Sequence, residues 1–206
     1  MLLLCHTSKG QSNDTTKVGV FITSIYDLDY SNNSFSVDFW IWRINTNREF
    51  KDYYSFSASN AKESKKISSS TDFPDQNENI LPTLKGDTTF WDYENFSTVV
   101  KHEFNITKYP FDEEILVIEF EGENYYDDWV KLQIDEKESG YADLKINGWE
   151  IGKMRIEKFN TTYPTNFGSP GDKGSHTYSG FKILIPIKRE GTALFFKLFQ
   201  DLFSQC

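Results

Sequence analysis

The chain has 206 residues and a formal net charge of −9, and its 38% hydrophobic and 17% aromatic content is ample to bury the core of one large all-β domain. That composition argues against global disorder, and a sequence pI near 4.9 argues against nucleic acid as a partner, because such binding depends on Lys and Arg neutralising phosphates. The two cysteines, Cys5 and Cys206, sit at opposite ends with no framework or metal-ligand spacing, so they do not staple the fold.

Residues 1–17 read as a disordered N-terminal segment or a processing remnant, since Met1-Leu2-Leu3-Leu4-Cys5 lacks the basic region and full apolar stretch of a complete signal peptide. From Val18 onward, period-two alternation dominates. Val18, Val20 and Ile22 run into Tyr26 and Leu28, and after the turn Asp29-Tyr30-Ser31-Asn32-Asn33 a second strand alternates Phe35, Val37, Phe39 and Ile41 with Ser36, Asp38, Trp40 and Trp42. Between Ser57 and Asn79 the composition turns to Ser, Lys, Asp and Asn, which predicts long connections. Alternation then resumes over Phe96–Ile106, Ile115–Phe120, Val130–Ile134, Trp149–Phe159 and Tyr178–Ile187. Pro186 cannot donate to a ladder, so its strand is expected at an edge or bulged there. The stretch Thr161–His176 holds Pro164, Gly168, Pro170, Gly171 and Gly174, the make-up of a long hairpin tip.

These strands and their Gly, Asn, Asp and Pro punctuation predict an immunoglobulin-like antiparallel β-sandwich of about ten strands over residues 18–191, low in helix. The chain then changes character. Leu194, Phe195, Phe196, Leu198, Phe199, Leu202 and Phe203 fall at helical spacing, which over residues 192–206 reads either as a short amphipathic helix or as the start of a truncated first transmembrane helix. No run of about 20 apolar residues occurs, so no segment here spans a bilayer by itself.

Enzyme chemistry finds little support. His6, His102 and His176 are isolated, no nucleophile elbow or phosphate loop is present, and His102 on its alternating strand reads as structural. The acidic clusters Glu121-Glu123-Asp127-Asp128 and Asp135-Glu136-Glu138 offer the oxygen atoms calcium prefers but follow no loop template, so neither a metal site nor a cofactor is assigned.

The most informative string is Lys108-Tyr109-Pro110-Phe111-Asp112. Pro110 fixes φ, Phe111 is expected to plug an apolar gap, and Asp112 sets a carboxylate at the tip of the sandwich. Three further strings stand before and after it in the chain. They are Ile25–Asp29 with Asn33–Val37, then Gly148-Trp149-Glu150-Ile151, and last Phe181–Arg189 ending in Ile187-Lys188-Arg189. Together they resemble the extracellular ligand-binding domain of a prokaryotic pentameric ligand-gated ion channel over residues 18–199. The Tyr-Pro-Phe-Asp string resembles that family's signature loop, without the flanking cysteines of the animal receptors. The Trp-x-Pro-Asp string of animal receptors has only the echo Asp72-Phe73-Pro74-Asp75.

The resemblance implies a homo-pentamer on the extracytoplasmic face of a membrane, joined to a pore domain. It implies a small-molecule ligand, such as an organic cation, held between subunits by aromatic faces. Candidate ligand-binding residues are Trp40, Trp42, Tyr125, Tyr126, Trp129, Tyr163, Phe167 and Tyr178, with the hairpin folding over a cleft that faces Trp40 or Trp42. Candidate coupling residues are Asp29, Tyr109, Pro110, Phe111, Asp112 and Arg189, all expected at one end. Asp112 and Arg189 are expected within salt-bridge distance, with Asp27 or Asp29 close enough to compete. A carbohydrate-binding sandwich and a glycosidase-like jelly roll remain as alternative readings.

Overall fold

Alternation puts one face of each strand under cover, and the computed structural model shows which faces meet. It describes residues 15–45, 55–72, 90–126, 131–168, 174–191 and 199–200. Residues 1–14, Trp129, the side chains of Tyr125 and Tyr126, and nearly all of the helical pattern after Gly191 lie outside what is described. The strands are β1 (Thr15–Asp29), β2 (Ser34–Asn45), β3 (Phe56–Ala58), β4 (Ala61–Asp72), β5 (Phe90–Lys101), β6 (Glu113–Tyr126), β7 (Lys131–Ile134), β8 (Gly140–Tyr141), β9 (Trp149–Ile151), β10 (Arg155–Tyr163) and β11 (His176–Arg189).

Two sheets form an all-β sandwich. The first has the order β4-β5-β2-β1-β7, with β8 also on β1, and the second has the order β10-β11-β6-β3, with β9 also on β11. Most ladders are antiparallel, as alternation predicts, but β7 and β8 run parallel to β1. The core lies between the sheets. Val18, Val20 and Ile22 of β1, Phe35, Val37 and Phe39 of β2, Leu116 and Ile118 of β6, and Phe181, Ile183 and Ile185 of β11 are each at most 1% exposed. Phe39 joins the sheets across the middle, meeting Phe120 edge-on at 5.2 Å, and Phe120 in turn stacks on its neighbour in the second sheet, Phe181, at 4.9 Å. Truncating one such ring to Ala costs about 3–5 kcal/mol, because it loses transfer energy and leaves a cavity.

Departures from strict period two coincide with bulges. In β1 the buried positions step from Ile22 to Ile25, and the β1–β2 register shifts between Ile22 and Ser24. Pro186 sits not at an edge but in β11, between β6 and the β9–β10 run. There Gly152, Lys153 and Met154 oppose only Ile185 and Pro186, so the ladder is interrupted where proline has no N–H to give. Gly152 still donates its N–H to the Pro186 carbonyl at 2.7 Å. The bulge also divides the expected run Trp149–Phe159 into β9 and β10.

The long connection expected over Ser57–Asn79 is instead largely strand, the end of β3 and the whole of β4. β4 is an edge strand held through its backbone by β5, with residues 62–69 exposed, so it needs no apolar alternation. Lys62, Lys65 and Lys66 along it discourage edge-to-edge pairing.

Candidate functional site

The loop between β5 and β6 is built by local hydrogen bonds. The His102 N–H donates to the Asn33 carbonyl at 3.0 Å, tying the loop's start to the β1–β2 turn. Asn105 caps a single 3₁₀ turn, Ile106–Lys108, its Oδ1 accepting from the Thr107 N–H at 3.1 Å. The Phe111 N–H closes back onto the Lys108 carbonyl at 2.7 Å, and the Tyr109–Pro110 peptide is cis. This course turns Asp112 inward and its neighbours outward: Asp112 is 1% exposed, whereas Tyr109 is 52% and Phe111 54% exposed. Phe111 therefore plugs no gap. Its ring edge lies against Gly191, where a Cβ would come within 2.5 Å of it.

Arg189, the last residue of β11, meets this carboxylate with both arms of its fork. Nε donates to Asp112 Oδ1 at 2.7 Å and Nη2 to Oδ2 at 2.9 Å, while the Arg189 backbone N–H donates to the Asp112 carbonyl at 3.0 Å. Nη2 also donates to the Tyr30 hydroxyl. Aromatic faces surround the guanidinium, with ring centroids at 4.2 Å for Trp149, 5.1 Å for Tyr109 and 5.6 Å for Tyr30. Desolvation that would be costly for either ion alone is thus offset by a planar fork, a third acceptor and three ring faces. Burial pushes the Asp112 carboxyl up, but the Arg189 hydrogen bonds and its own backbone N–H outweigh this and hold it below its ordinary value. Arg189 is correspondingly raised, the pull of Asp112 and Tyr30 exceeding the penalty of burial.

Asp112, Arg189 and the β1–β2 turn lie together. The competing acid, however, is displaced by a phenol. Asp29 spends its carboxylate on its own turn, accepting from the Asn32 N–H at 2.9 Å and from Asn32 Nδ2 at 2.7 Å, and Tyr30 reaches Arg189 instead. Trp149 is the other partner that sequence reasoning passes over. It follows Gly148 at φ +80°, and the Glu190 N–H reaches back to the Gly148 carbonyl at 2.9 Å, which brings the indole beside the end of β11.

Beneath the loop lies a second polar pair. Glu114 accepts from the Asn105 N–H at 2.6 Å, and its other oxygen stands 3.4 Å from His102 Nε2. The imidazole is wedged edge-on between Phe104 at 4.6 Å and Phe35 at 5.9 Å. Burial lowers the His102 pKa by more than Glu114 raises it.

Of the candidate ligand residues, three come together on the outer face of the second sheet. Tyr163 lies 5.4 Å from Phe167 and 5.7 Å from Tyr178 between ring centroids, and its hydroxyl donates to Glu121 at 3.0 Å. Burial and then Glu121 raise the Tyr163 pKa, so the phenol stays protonated and donates. Phe167, at φ 50°, remains 63% exposed. Trp40 and Trp42 lie apart from this group, on the outer face of the first sheet. Trp42 lies flat on Gly19, where a Cβ would collide with its ring at 2.1 Å, and its Nε1 points to Asp135 at 3.4 Å. Trp40 instead continues an aromatic row through Tyr93 at 5.7 Å to Trp91 at 4.7 Å, two rings that sequence reasoning did not single out.

Among the described residues, no group of three His, Cys, Asp or Glu is placed to hold a metal, and no helix is long and apolar enough to cross a membrane. No protein-family model matches the sequence, and no curated protein matches it either.

Two outcomes follow from this geometry. Arg189→Gln should destabilise the domain by about 3–5 kcal/mol, because it strands a buried carboxylate. Arg189→Lys should recover only part of the loss, because an ammonium cannot fork; denaturant unfolding at neutral pH measures both. For His102, whose folded pKa is lowered from 6.5, the unfolded chain takes up the proton first as pH falls. Its contribution should therefore weaken the fold progressively below about pH 6.5 and level off below the folded value. His102→Gln should flatten the midpoint-against-pH curve in that window, and an unchanged slope would contradict the assignment.

Proposed function

We propose that this chain is the extracytoplasmic ligand-sensing domain of a pentameric ligand-gated ion channel, passing ligand energy to the pore through the Arg189–Asp112 clamp. The clamp is the observation that carries the reading. It locks the last strand to the Tyr-Pro-Phe-Asp loop, while Ile106, Tyr109 and Phe111, each more than half exposed, make the outside of that same loop apolar. A charged interior bond under an apolar tip suits a sandwich end that presses on another domain and moves as one piece with the strand leading to it.

The ligand in this reading is an organic cation, and the protein does no covalent chemistry. Ring faces attract a cation, and Tyr163, Phe167 and Tyr178 stand beside the Glu121 carboxylate. The net charge of −9 adds a field that concentrates cations nearby. A head-to-tail ring of five copies would set this cluster against the Trp40, Tyr93 and Trp91 row of the next subunit. Binding would then favour whichever arrangement of the ring grips the ligand more tightly.

Electrophysiology tests this. Joined in frame to a pore domain of the family and expressed at the cell surface, the chain should give current on application of small quaternary and primary ammonium ions. Tyr163→Ala should raise the half-maximal concentration by about tenfold, the loss of one cation–π and hydrogen-bonding ring. Asp112→Asn should lower the maximal current while surface expression persists. Surface protein that gives no ligand-dependent current would overturn the reading.

A further inference from the structure

A separate cavity of about 330 Å³ opens between the sheets at their β3–β4 margin, and neither Arg189 nor Tyr163, Phe167 or Tyr178 lines it. Its walls are Phe39, Phe56, Phe96 and Phe120, and its polar rim includes Lys66 and Glu94. The size suits a ligand of one ring and a short chain, at the small end of the usual range for such sites.

The charges at the rim are unequally held. Arg43 is committed to the acids, with Nε 2.6 Å from Asp92 and Nη2 3.3 Å from Glu94 Oε2, and its side chain is only 11% exposed. Glu94 Oε1 takes its second cation from Lys66, whose side chain is 51% exposed. That ammonium also stands 5.9 Å over the Phe96 ring. Lys66 therefore occupies the place where a cation is favoured twice over, by a half-buried carboxylate and by a ring face. It is also the partner most easily withdrawn, because a long side chain on an edge strand regains rotamer freedom in water.

We infer that this cavity binds a small hydrophobic primary ammonium compound, whose ammonium replaces Lys66 on Glu94 while its ring lies among Phe39, Phe56, Phe96 and Phe120. A carboxylate ligand would have to abut Glu94 and is disfavoured. The inference does not depend on the channel reading, since every group it uses belongs to one copy of the chain.

The test uses phenethylammonium and phenylacetate as probes of opposite charge on one skeleton, with the unmodified chain, measured by calorimetry and ligand-observed NMR. Phenethylammonium should bind and phenylacetate should not. Lys66→Met removes the competing cation and should tighten phenethylammonium binding by about tenfold, whereas Glu94→Gln should weaken it by about tenfold or more, the worth of one charge-assisted hydrogen bond. Circular dichroism checks whether each variant folds, and Lys66→Met, an exposed edge change, keeps the test decisive if Glu94→Gln does not fold. Preference for phenylacetate, absence of binding, or weaker binding in Lys66→Met would overturn the inference. Binding that ignores both rim variants but falls in Tyr163→Ala would place the ligand on the outer face instead, and would overturn it equally.

Discussion

A carboxylate with 1% exposure must have its charge answered by the protein, and the end of this sandwich is arranged around the answer that Arg189 gives to Asp112. The requirement is stringent because an isolated buried ion costs several kcal/mol, more than most single contacts return. It fixes where β11 must stop, since both the fork and the backbone N–H of Arg189 engage Asp112. It fixes the neighbours too. Tyr30 supplies a third acceptor and Trp149 a ring face at 4.2 Å, so the β1–β2 turn and the segment before β9 are drawn to the same point. Gly191 then lets the chain leave β11 under the Phe111 ring, where any side chain would strike Phe111 or the Pro110 carbonyl.

From that end the two sheets pack against each other over a shared apolar core. The edge-on contact of Phe39 with Phe120 and the buried aliphatic rows couple the two sheets, so the outer-face aromatic groups and the clamp belong to one packed body. The two aromatic groups lie on different sheets for a simple reason of register. On β2 the even positions Trp40 and Trp42 face outward opposite the buried Phe39 and Ile41, and on β11 Tyr178 faces outward opposite the inward Phe181 and Ile183. A site needing both groups thus needs two copies of the chain, whereas the phenylalanine-lined cavity needs one.

Much of this was legible in the residues themselves. Alternation identified β1, β2, β6 and β11 because each has one face against the core, and the missing N–H of Pro186 announced either an edge or a bulge, of which the bulge is the one found. The proximity of Asp112 and Arg189 followed from the family resemblance rather than from any periodicity. What the residues concealed has physical causes. β4 carries no alternation because an edge strand can be held by backbone bonds alone. Tyr30 looked like a turn residue, and only the turn's geometry shows that Asp29 is consumed by Asn32, leaving the phenol to reach Arg189. Trp42 looked available for a ligand, but its ring is laid on Gly19 by cross-strand pairing, a contact visible only once the register Gly19–Trp42 is known. The row of Trp91 and Tyr93 was missed because it belongs to a strand whose polar neighbours, Asp92 and Glu94, face inward to Arg43.

The central claim is that Asp112 and Arg189 act as one unit, and a double-mutant cycle measures that directly. Unfolding free energies of the parent chain, Asp112→Asn, Arg189→Gln and the combined variant give the coupling between the two side chains. A forked pair in a buried, ring-lined site should show a coupling of about 2–3 kcal/mol, with the double variant more stable than Arg189→Gln alone because no unpaired carboxylate remains. Single-variant losses that add to within about 0.5 kcal/mol would mean that the two groups are independent, and would contradict the account.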